Sequence, residues 1–183
     1  MTEPLRFAWA DPAAPTAARV VLVQDGRALV PPALTAAERR VLAAWLKSSK
    51  FEGTAGETAW PPGLSAPVLL ASLGPKPEFH AARWFRAWAG VGRALALSPA
   101  LGRVSFEWPE KSEFSAETAA LAGLAAEGLL AGAYVFEAYK SKKSSRSCTF
   151  VWAGRALGSR VVRTAVRQAE AAGAVLNEVR DLA

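Results

Sequence analysis

The chain has 183 residues, of which 51% are hydrophobic and 21% charged, a composition that suits one ordinary domain and excludes a chain that is disordered throughout. Its formal net charge of +6 permits attraction to nucleic acid or anionic surfaces, and its single cysteine excludes an internal disulfide. Because the apolar runs are too short to cross a bilayer and the N-terminus lacks a signal-peptide pattern, we predict a cytoplasmic protein with no membrane partner.

Apolar residues follow two periods along the chain, one typical of strands and one typical of helices. The run at 19–24 is rich in β-branched residues, and residues 67–73 are continuously apolar, like a strand that is buried on both faces. Thr35 and Glu38 have the spacing of a capping box, which predicts that a helix begins there. In chain order we predict strands over residues 5–9, 19–24 and 28–30, a helix that opens at Thr35, a strand over 67–73, a helix over 78–97, a strand over 103–108, a helix over 115–139, a strand over 148–152 and a helix over 158–182.

Strands that alternate with helices in this way predict an α/β fold. The last helix follows an apparently complete α/β set and could connect to something that comes next. Several glycines lie inside the predicted helices, where we expect them to permit close packing of a helix on a sheet. They are Gly90, Gly92, Gly123, Gly128 and Gly132.

Residues that could carry catalysis or hold a metal are few. The sequence has one histidine, His80, one cysteine, Cys148, and three aspartates near predicted turns or a terminus (Asp11, Asp25 and Asp181). A zinc site needs three or four converging ligands, so we predict no metal site and no catalytic residue in this chain. A Cys148–His80 dyad is the alternative, although a strand cysteine that alternates with aromatic residues is typical of a core.

A basic segment is the strongest local charge feature. It contains Lys140, Lys142, Lys143 and Arg146. Arg160, Arg163 and Arg167 then follow on one face of the last helix. Together these residues could contact nucleic-acid phosphates, and the alternative is a solvated loop and helix face.

The seven tryptophans are many for this length. Most of them fall on the apolar faces of predicted elements and are expected in the core. Trp60 and Trp108 stand near turns and prolines, and they could be either core residues or exposed anchors of a subunit contact.

Four stretches of the sequence, in this order, resemble the N-terminal domain of the M17 leucyl aminopeptidases. Phe51-Glu52-Gly53 with Gly56-Glu57 is similar to an F-x-G…G-E segment, and residues 68–75 (VLLASLGP) are similar to the family's LLVGLG strand and turn. Residues 126–142 (AEGLLAGAYVFEAYKSK) resemble E-G-x-x-L-x-x-Y-x-F-x-x-Y-K. Residues 179–182 (VRDL) resemble the A-R-D-L that closes the family's connecting helix.

This resemblance implies a macro-domain-like fold, with three α/β/α layers and a mixed central sheet. It places the domain in residues 1–156 and the connecting helix, which leads to an absent C-terminal catalytic domain, in residues 157–183. The absent domain would carry two divalent metals (zinc, manganese or magnesium) and would hydrolyse N-terminal residues from peptides. The chain itself would be non-catalytic, with a role in assembly of a homohexamer and in access to the active sites.

Two alternatives to this interpretation remain at the level of sequence. The first is a nucleic-acid-binding module that uses the basic segment, since one bacterial branch of the family binds DNA. The second is a module that binds ADP-ribose or another nucleotide, as macro-like folds can. Asp25 after the second strand suits the second alternative, but the glycine-containing segment 53–57 lacks the Lys-Ser/Thr pair of a phosphate loop.

Overall fold

The computed structural model describes residues 5–10, 16–29, 34–76, 80–98, 100–108, 118–134 and 148–182. Within these residues the elements lie close to their predicted places. The strands are β1 (Leu5–Ala10), β2 (Ala18–Gln24), β3 (Arg27–Leu29), β4 (Thr58–Ala59), β5 (Val68–Ser72), β6 (Arg103–Glu107) and β7 (Cys148–Ala153). The helices are α1 (Ala36–Ser48), α2 (Ala81–Ala96), α3 (Thr118–Ala133) and α4 (Arg160–Leu182), and a 3₁₀ turn (Arg155–Gly158) precedes α4.

The strands form one mixed sheet in the order β1-β7-β6-β2-β5-β4. The five strands from β1 to β5 in that order pair in parallel, whereas β4 pairs antiparallel with β5. The short strand β3 pairs antiparallel with the end of β2, beyond the residues of β2 that pair with β6. The predicted mixed central sheet is therefore confirmed.

Helices cover both faces of this sheet, which confirms the predicted three layers. The apolar residues of α2, α3 and α4 pack on one face, in a core that includes Trp84, Leu129 and Val166. On the other face α1 packs over β2 and β5, where Leu42 joins a second cluster with Val21 and other residues. The first half of α4 therefore belongs to the hydrophobic core of the domain.

The predicted capping box opens α1. The Thr35 hydroxyl accepts a hydrogen bond from the Glu38 backbone N–H, and the Glu38 carboxylate accepts one from the Thr35 backbone N–H. The Ser65 hydroxyl donates to the same carboxylate at 2.5 Å. Hydrogen bonds from Ser65 and Thr35, in that order, lower the pKa of Glu38 below its usual value, since they stabilise the ionised form.

Aromatic rings fill the centre of the larger core. Trp88 packs edge-on to Phe106 with ring centroids 4.7 Å apart, and Trp152 packs on Phe150 at 5.0 Å. The Trp84 indole N–H donates to the Leu121 carbonyl at 2.8 Å. Trp108 is 1% exposed, so its alternative role as an exposed anchor is excluded. Trp60, by contrast, is 37% exposed.

Gly90 of α2 faces Gly56 and also Thr58 of β4, as expected for packing on the sheet, whereas other glycines of α2 and α3 bring two helices together. A Cβ on Gly132 would collide with the backbone carbonyl of Ala89 in α2, and one on Gly92 would collide with the carbonyl of Leu129 in α3. The expectation of packing on the sheet is thus wrong for Gly92 and Gly132, because each of them faces the backbone of the other helix.

The main differences from prediction are at helix ends. Helix α3 ends at Ala133, and residues 115–117 and 135–139 of the longer predicted helix lie outside the described residues. Helix α2 begins at Ala81 after the N-cap His80. Across the described ranges, none of the helices has the length and apolar character that crossing a membrane requires.

Candidate functional site

Residues with catalytic chemistry do not converge in the described part of the chain. There, no group of three or more His, Cys, Asp or Glu residues could hold a metal ion. His80 is exposed at the start of α2, where its side chain makes no capping hydrogen bond. Cys148 is buried in β7, and burial raises the pKa of its thiol to about 11. Since the thiolate is the nucleophile, this cysteine is a core residue rather than half of a reactive dyad.

The glycine-containing loop 51–57 is held closed by its own acidic residue. The Glu57 carboxylate accepts hydrogen bonds from three successive backbone N–H groups, those of Glu52 at 3.2 Å, Gly53 at 2.8 Å and Thr54 at 3.1 Å. Successive N–H groups of this kind can cradle an anion. Here the carboxylate of Glu57 occupies that cradle.

The same loop is bonded to the end of β5. The Ser72 hydroxyl donates to the Gly53 carbonyl at 2.6 Å and accepts from the backbone N–H of Gly74 at 3.1 Å. Backbone hydrogen bonds join Gly56 N–H to the Ser72 carbonyl and Ser72 N–H to the Glu57 carbonyl. Gly56 has φ +91°, and a Cβ there would lie 3.1 Å from the Arg86 carbonyl oxygen of α2. The loop therefore lies tightly between β5 and α2.

Asp25 is engaged at the neighbouring strand end. Its carboxylate accepts a hydrogen bond from the backbone N–H of Lys76 at 2.8 Å. The contact ties the turn between β2 and β3 to the segment that follows β5. This aspartate, which the nucleotide hypothesis requires, thus has a structural partner.

A third contact joins the ends of α3 and α4. The Tyr134 hydroxyl donates to the Asp181 carboxylate at 2.8 Å, and the Arg180 guanidinium lies 5.2 Å from the centroid of the Tyr134 ring. Desolvation, and then the nearby carboxylate of Asp181, raise the pKa of Tyr134. Tyr134 and Asp181 belong to two of the four motif stretches, and the fold brings these stretches together.

The four basic residues proposed for nucleic-acid contact, Lys140, Lys142, Lys143 and Arg146, lie outside the described residues. The arginines that follow them are described. Arg160, Arg163 and Arg167 are exposed on α4, and the Arg163 guanidinium lies over the Trp9 ring, 5.6 Å from its centroid. They form an exposed basic face at the N-terminal half of α4.

Two residues of these contacts carried no sequence signal of their own. Ser72 is one small residue within an apolar strand, and nothing local shows that its hydroxyl anchors a loop 19 residues earlier. Tyr134 fell inside a predicted helix, whereas it follows the last helical residue. Both partners of each contact lie in the motif stretches that resemble the family. That shared membership was the available signal of a contact between the residues.

Comparison with known proteins agrees with this architecture. Residues 20–143 match the model of the cytosol aminopeptidase family, N-terminal domain. A probable cytosol aminopeptidase of Streptomyces coelicolor is 39% identical over 101 residues, which cover 52% of this chain and 18% of that protein.

The fold is also found in solved structures. A mutant of tomato leucine aminopeptidase superposes with a TM-score of 0.71 at 14% identity, over 93% of this chain and 36% of that one. The bottromycin maturation enzyme BotP, in complex with Mn, superposes with a TM-score of 0.61 at 22% identity, over 92% of this chain and 32% of that one.

The chain therefore spans about a third of the solved relatives and less of the Streptomyces protein. The matched family model covers more than half of this chain. This chain belongs to the cytosol aminopeptidase family, in which it corresponds to the N-terminal domain.

Proposed function

We propose that this chain is the non-catalytic N-terminal domain of a cytoplasmic metallo-aminopeptidase, which supports assembly of a homo-oligomer and shapes access to the active sites. The catalytic domain would follow it and release N-terminal amino acids from peptides. The match to the family's N-terminal domain supports this assignment. The hexamer expected from the resemblance is part of the same proposal.

Two divalent metal ions, zinc, manganese or magnesium, would act in that catalytic domain. The described residues of this chain do not fit such a centre, because they include no group of three or more metal-binding side chains. We therefore assign no chemical step to this chain. When bound, metals of this kind polarise a peptide carbonyl and activate water.

The observation that best supports a scaffold role is the use of the motif residues within the fold. Glu57 closes its own loop, Ser72 anchors that loop, and Tyr134 holds Asp181 at the end of α4. The contacts of Glu57 and Ser72 position backbone, and the contact of Tyr134 joins two side chains at the ends of α3 and α4.

The proposal can be tested by reconstitution. The catalytic portion of the Streptomyces coelicolor relative would be produced without its N-terminal domain and mixed with this chain. We expect light scattering to show a complex of defined stoichiometry. We also expect the catalytic portion to form a larger oligomer in the presence of this chain than it forms alone. Absence of any complex at concentrations of roughly 100 μM would contradict the assembly role. Glu57→Ala, which loosens the loop, is a suitable comparison with wild type.

Binding of a nucleotide is less well supported by the geometry. The successive N–H groups of the loop 51–57 donate to Glu57, and Asp25 accepts from Lys76. A nucleotide phosphate would have to displace a carboxylate that is already in the loop. A titration with ADP-ribose that shows saturable binding would reopen this hypothesis.

A second candidate function, contact with nucleic acid, is favoured by one specific observation. Arg160, Arg163 and Arg167 are exposed on α4, and Arg163 forms a cation–π pair with the half-buried ring of Trp9. Binding through these residues would weaken steeply as salt rises. Fluorescence anisotropy with duplex DNA should then show a loss of affinity in the variant Arg163→Gln/Arg167→Gln. The variant Arg40→Gln/Lys47→Gln, at two exposed residues of α1, is a control with the same change of net charge. Equal affinity in both variants would exclude this face.

A further inference from the structure

Helix α4 has a second apolar face, which is exposed among the residues that the structure describes. Val161, Val175, Leu176 and Val179 are 68%, 59%, 57% and 58% exposed, respectively. Elsewhere in the described chain, the exposed large hydrophobic residues are Leu97, at 76%, and Trp60, at 37%. Exposed aliphatic residues are thus concentrated on one helix, and such concentration is typical of an interaction surface.

This second face is distinct from the one that packs on α3. The inner face contains the buried residues Val162, Val166 and Ala169. At 3.6 residues per turn, Val161, Ala172, Val175 and Val179 fall in a separate line along the helix, with Leu176 beside it. We call these five residues the α4 stripe.

Four residues of the stripe, all but Leu176, fit a helix-pairing seam. The full seam has positions 161, 165, 168, 172, 175 and 179, at steps of four, three, four, three and four, and it adds Ala165 and the polar Gln168 to those four. Alternating steps of three and four keep one side of a helix against a partner helix. The set is symmetric about residue 170, so an antiparallel copy of the same helix presents the same positions in register.

We propose that the α4 stripe pairs with the α4 stripe of a second copy of this chain, antiparallel and around a twofold axis. A twofold contact uses the same patch on both copies and requires that patch to be self-complementary. This inference rests on the proposed assembly role, and it identifies the surface that would perform part of it.

Charge along α4 favours the antiparallel arrangement. The N-terminal half carries Arg160, Arg163 and Arg167, whereas the C-terminal half carries Glu170, Glu178 and Asp181 together with Arg180. Arg163, Glu170 and Asp181 lie on the side of α4 away from the stripe, whereas Arg160 and Glu178 lie beside it. An antiparallel pair brings Arg160 of each copy toward Glu178 of the other, and it also opposes the two helix dipoles. A parallel pair would place basic halves side by side, at an energetic cost.

The symmetric register predicts a specific ion pair. Arg160 and Glu178 are 18 residues apart, which is five helical turns, so both lie on the same side of α4 beside the stripe. With Val161 opposite Val179 of the second copy, Arg160 lies about 3 Å along the axis from Glu178 of that copy at 1.5 Å per residue. The twofold axis repeats this pair at the other end of the seam.

Sedimentation equilibrium of the chain between roughly 10 μM and 1 mM tests the proposal in a range suited to a small interface. We expect a monomer–dimer equilibrium, and an increase of the dissociation constant of at least about tenfold in Val175→Gln/Val179→Gln. Both residues are exposed, so this variant should keep the circular dichroism and melting temperature of wild type. Leu97→Gln, at an aliphatic residue that is 76% exposed outside the stripe, should dimerise as wild type does.

A charge exchange tests the register. Arg160→Glu and Glu178→Arg should each weaken the dimer at low salt, and the double variant should restore it. Because Arg160→Glu places an acid at a helix N-terminus, it should not destabilise α4 itself. A chain that is monomeric throughout the range, or a dimer that the stripe variant leaves intact, would overturn the proposal, and failure of the double variant to recover would overturn the antiparallel register.

These outcomes are separate from those of the reconstitution experiment. The chain can fail to pair with itself and still assemble with a catalytic portion, in which case the stripe proposal fails and the assembly role stands. If the chain pairs with itself but forms no complex with the catalytic portion, the stripe proposal stands and the proposed assembly with a catalytic domain fails.

Discussion

The hydroxyl of Tyr134 donates a hydrogen bond to the carboxylate of Asp181, 47 residues later in the chain, at 2.8 Å. Tyr134 is the residue that follows α3, and Asp181 lies in the last turn of α4. The contact therefore fixes the far end of a 23-residue helix whose second half extends past the core. Any segment that follows α4 would begin from a position that this hydrogen bond sets.

Removal of the Tyr134 hydroxyl should loosen the end of α4 and leave the core unchanged. In Tyr134→Phe the ring and its contact with Arg180 remain, whereas Asp181 loses its partner. We expect faster amide hydrogen exchange in residues 174–182 and wild-type exchange in β5 and α2. Exchange at the end of α4 that is as slow as in wild type would show that the hydrogen bond does not hold the helix.

Close packing of α2 on α3 should make Gly132 intolerant of any side chain. Gly132→Ala would force a Cβ into the Ala89 carbonyl, and overpacking of this kind costs about 1–3 kcal/mol of unfolding free energy, or more. Gly123→Ala on the same helix is the matched control, since its Cβ would meet Ala165 at an ordinary 3.5 Å. Because alanine favours helix, that variant should be neutral or more stable by up to about 1 kcal/mol. Urea unfolding of the two variants measures this difference. Equal unfolding free energies for Gly132→Ala and Gly123→Ala would contradict the close packing at Gly132.

Closure of the loop 51–57 should depend on the carboxylate of Glu57. Glu57→Ala would leave three backbone N–H groups without their acceptor, although water can reach part of the loop. We expect a loss of roughly 1–2 kcal/mol in thermal or chemical unfolding. Glu52→Ala changes an exposed acid in the same loop and should cost no more than about 0.5 kcal/mol. A similar loss of stability in both variants would indicate that the negative charge of the loop, rather than the hydrogen bonds of Glu57, stabilises the protein.

Acid should destabilise the protein partly through Glu38. The pKa of Glu38 in the folded state is lowered from the ordinary value of 4.5, so its contribution is present above that value and lost as pH falls through the folded pKa. Glu38→Gln should therefore lower the melting temperature at pH 7, and the difference from wild type should shrink toward about pH 3. Ser65→Ala, which removes one of the hydrogen bonds to Glu38, should show a smaller loss with the same pH trend. A difference that is constant with pH would contradict this account.

Much of the fold could be predicted from local signals. The Thr35–Glu38 spacing marked the start of α1, and the β-branched and apolar runs marked β2 and β5, because these signals lie within one element. The absence of a metal site, which the ligand count predicts for this chain, stays a prediction. Cytoplasmic location and the boundary at residue 156 stay predictions.

Contacts between distant segments could not be predicted in the same way. No local pattern shows that Gly92 faces α3 and that Gly132 faces α2. This contact depends on the order in which the helices cover the sheet. Trp108 was left open between core and surface, since a tryptophan beside a proline fits both, and the packing of β6 under α2 decided for the core. The bond between Tyr134 and Asp181 depends on α3 and α4 lying side by side, which no local pattern encodes.

The most direct test of the central claim is an aminopeptidase assay of this chain alone, with a leucine amide substrate and added zinc, manganese or magnesium. The account predicts no release of leucine above the buffer rate with any of these ions. Metal-dependent turnover by the purified chain would contradict it, since catalysis would then reside in residues to which we assign only structural contacts.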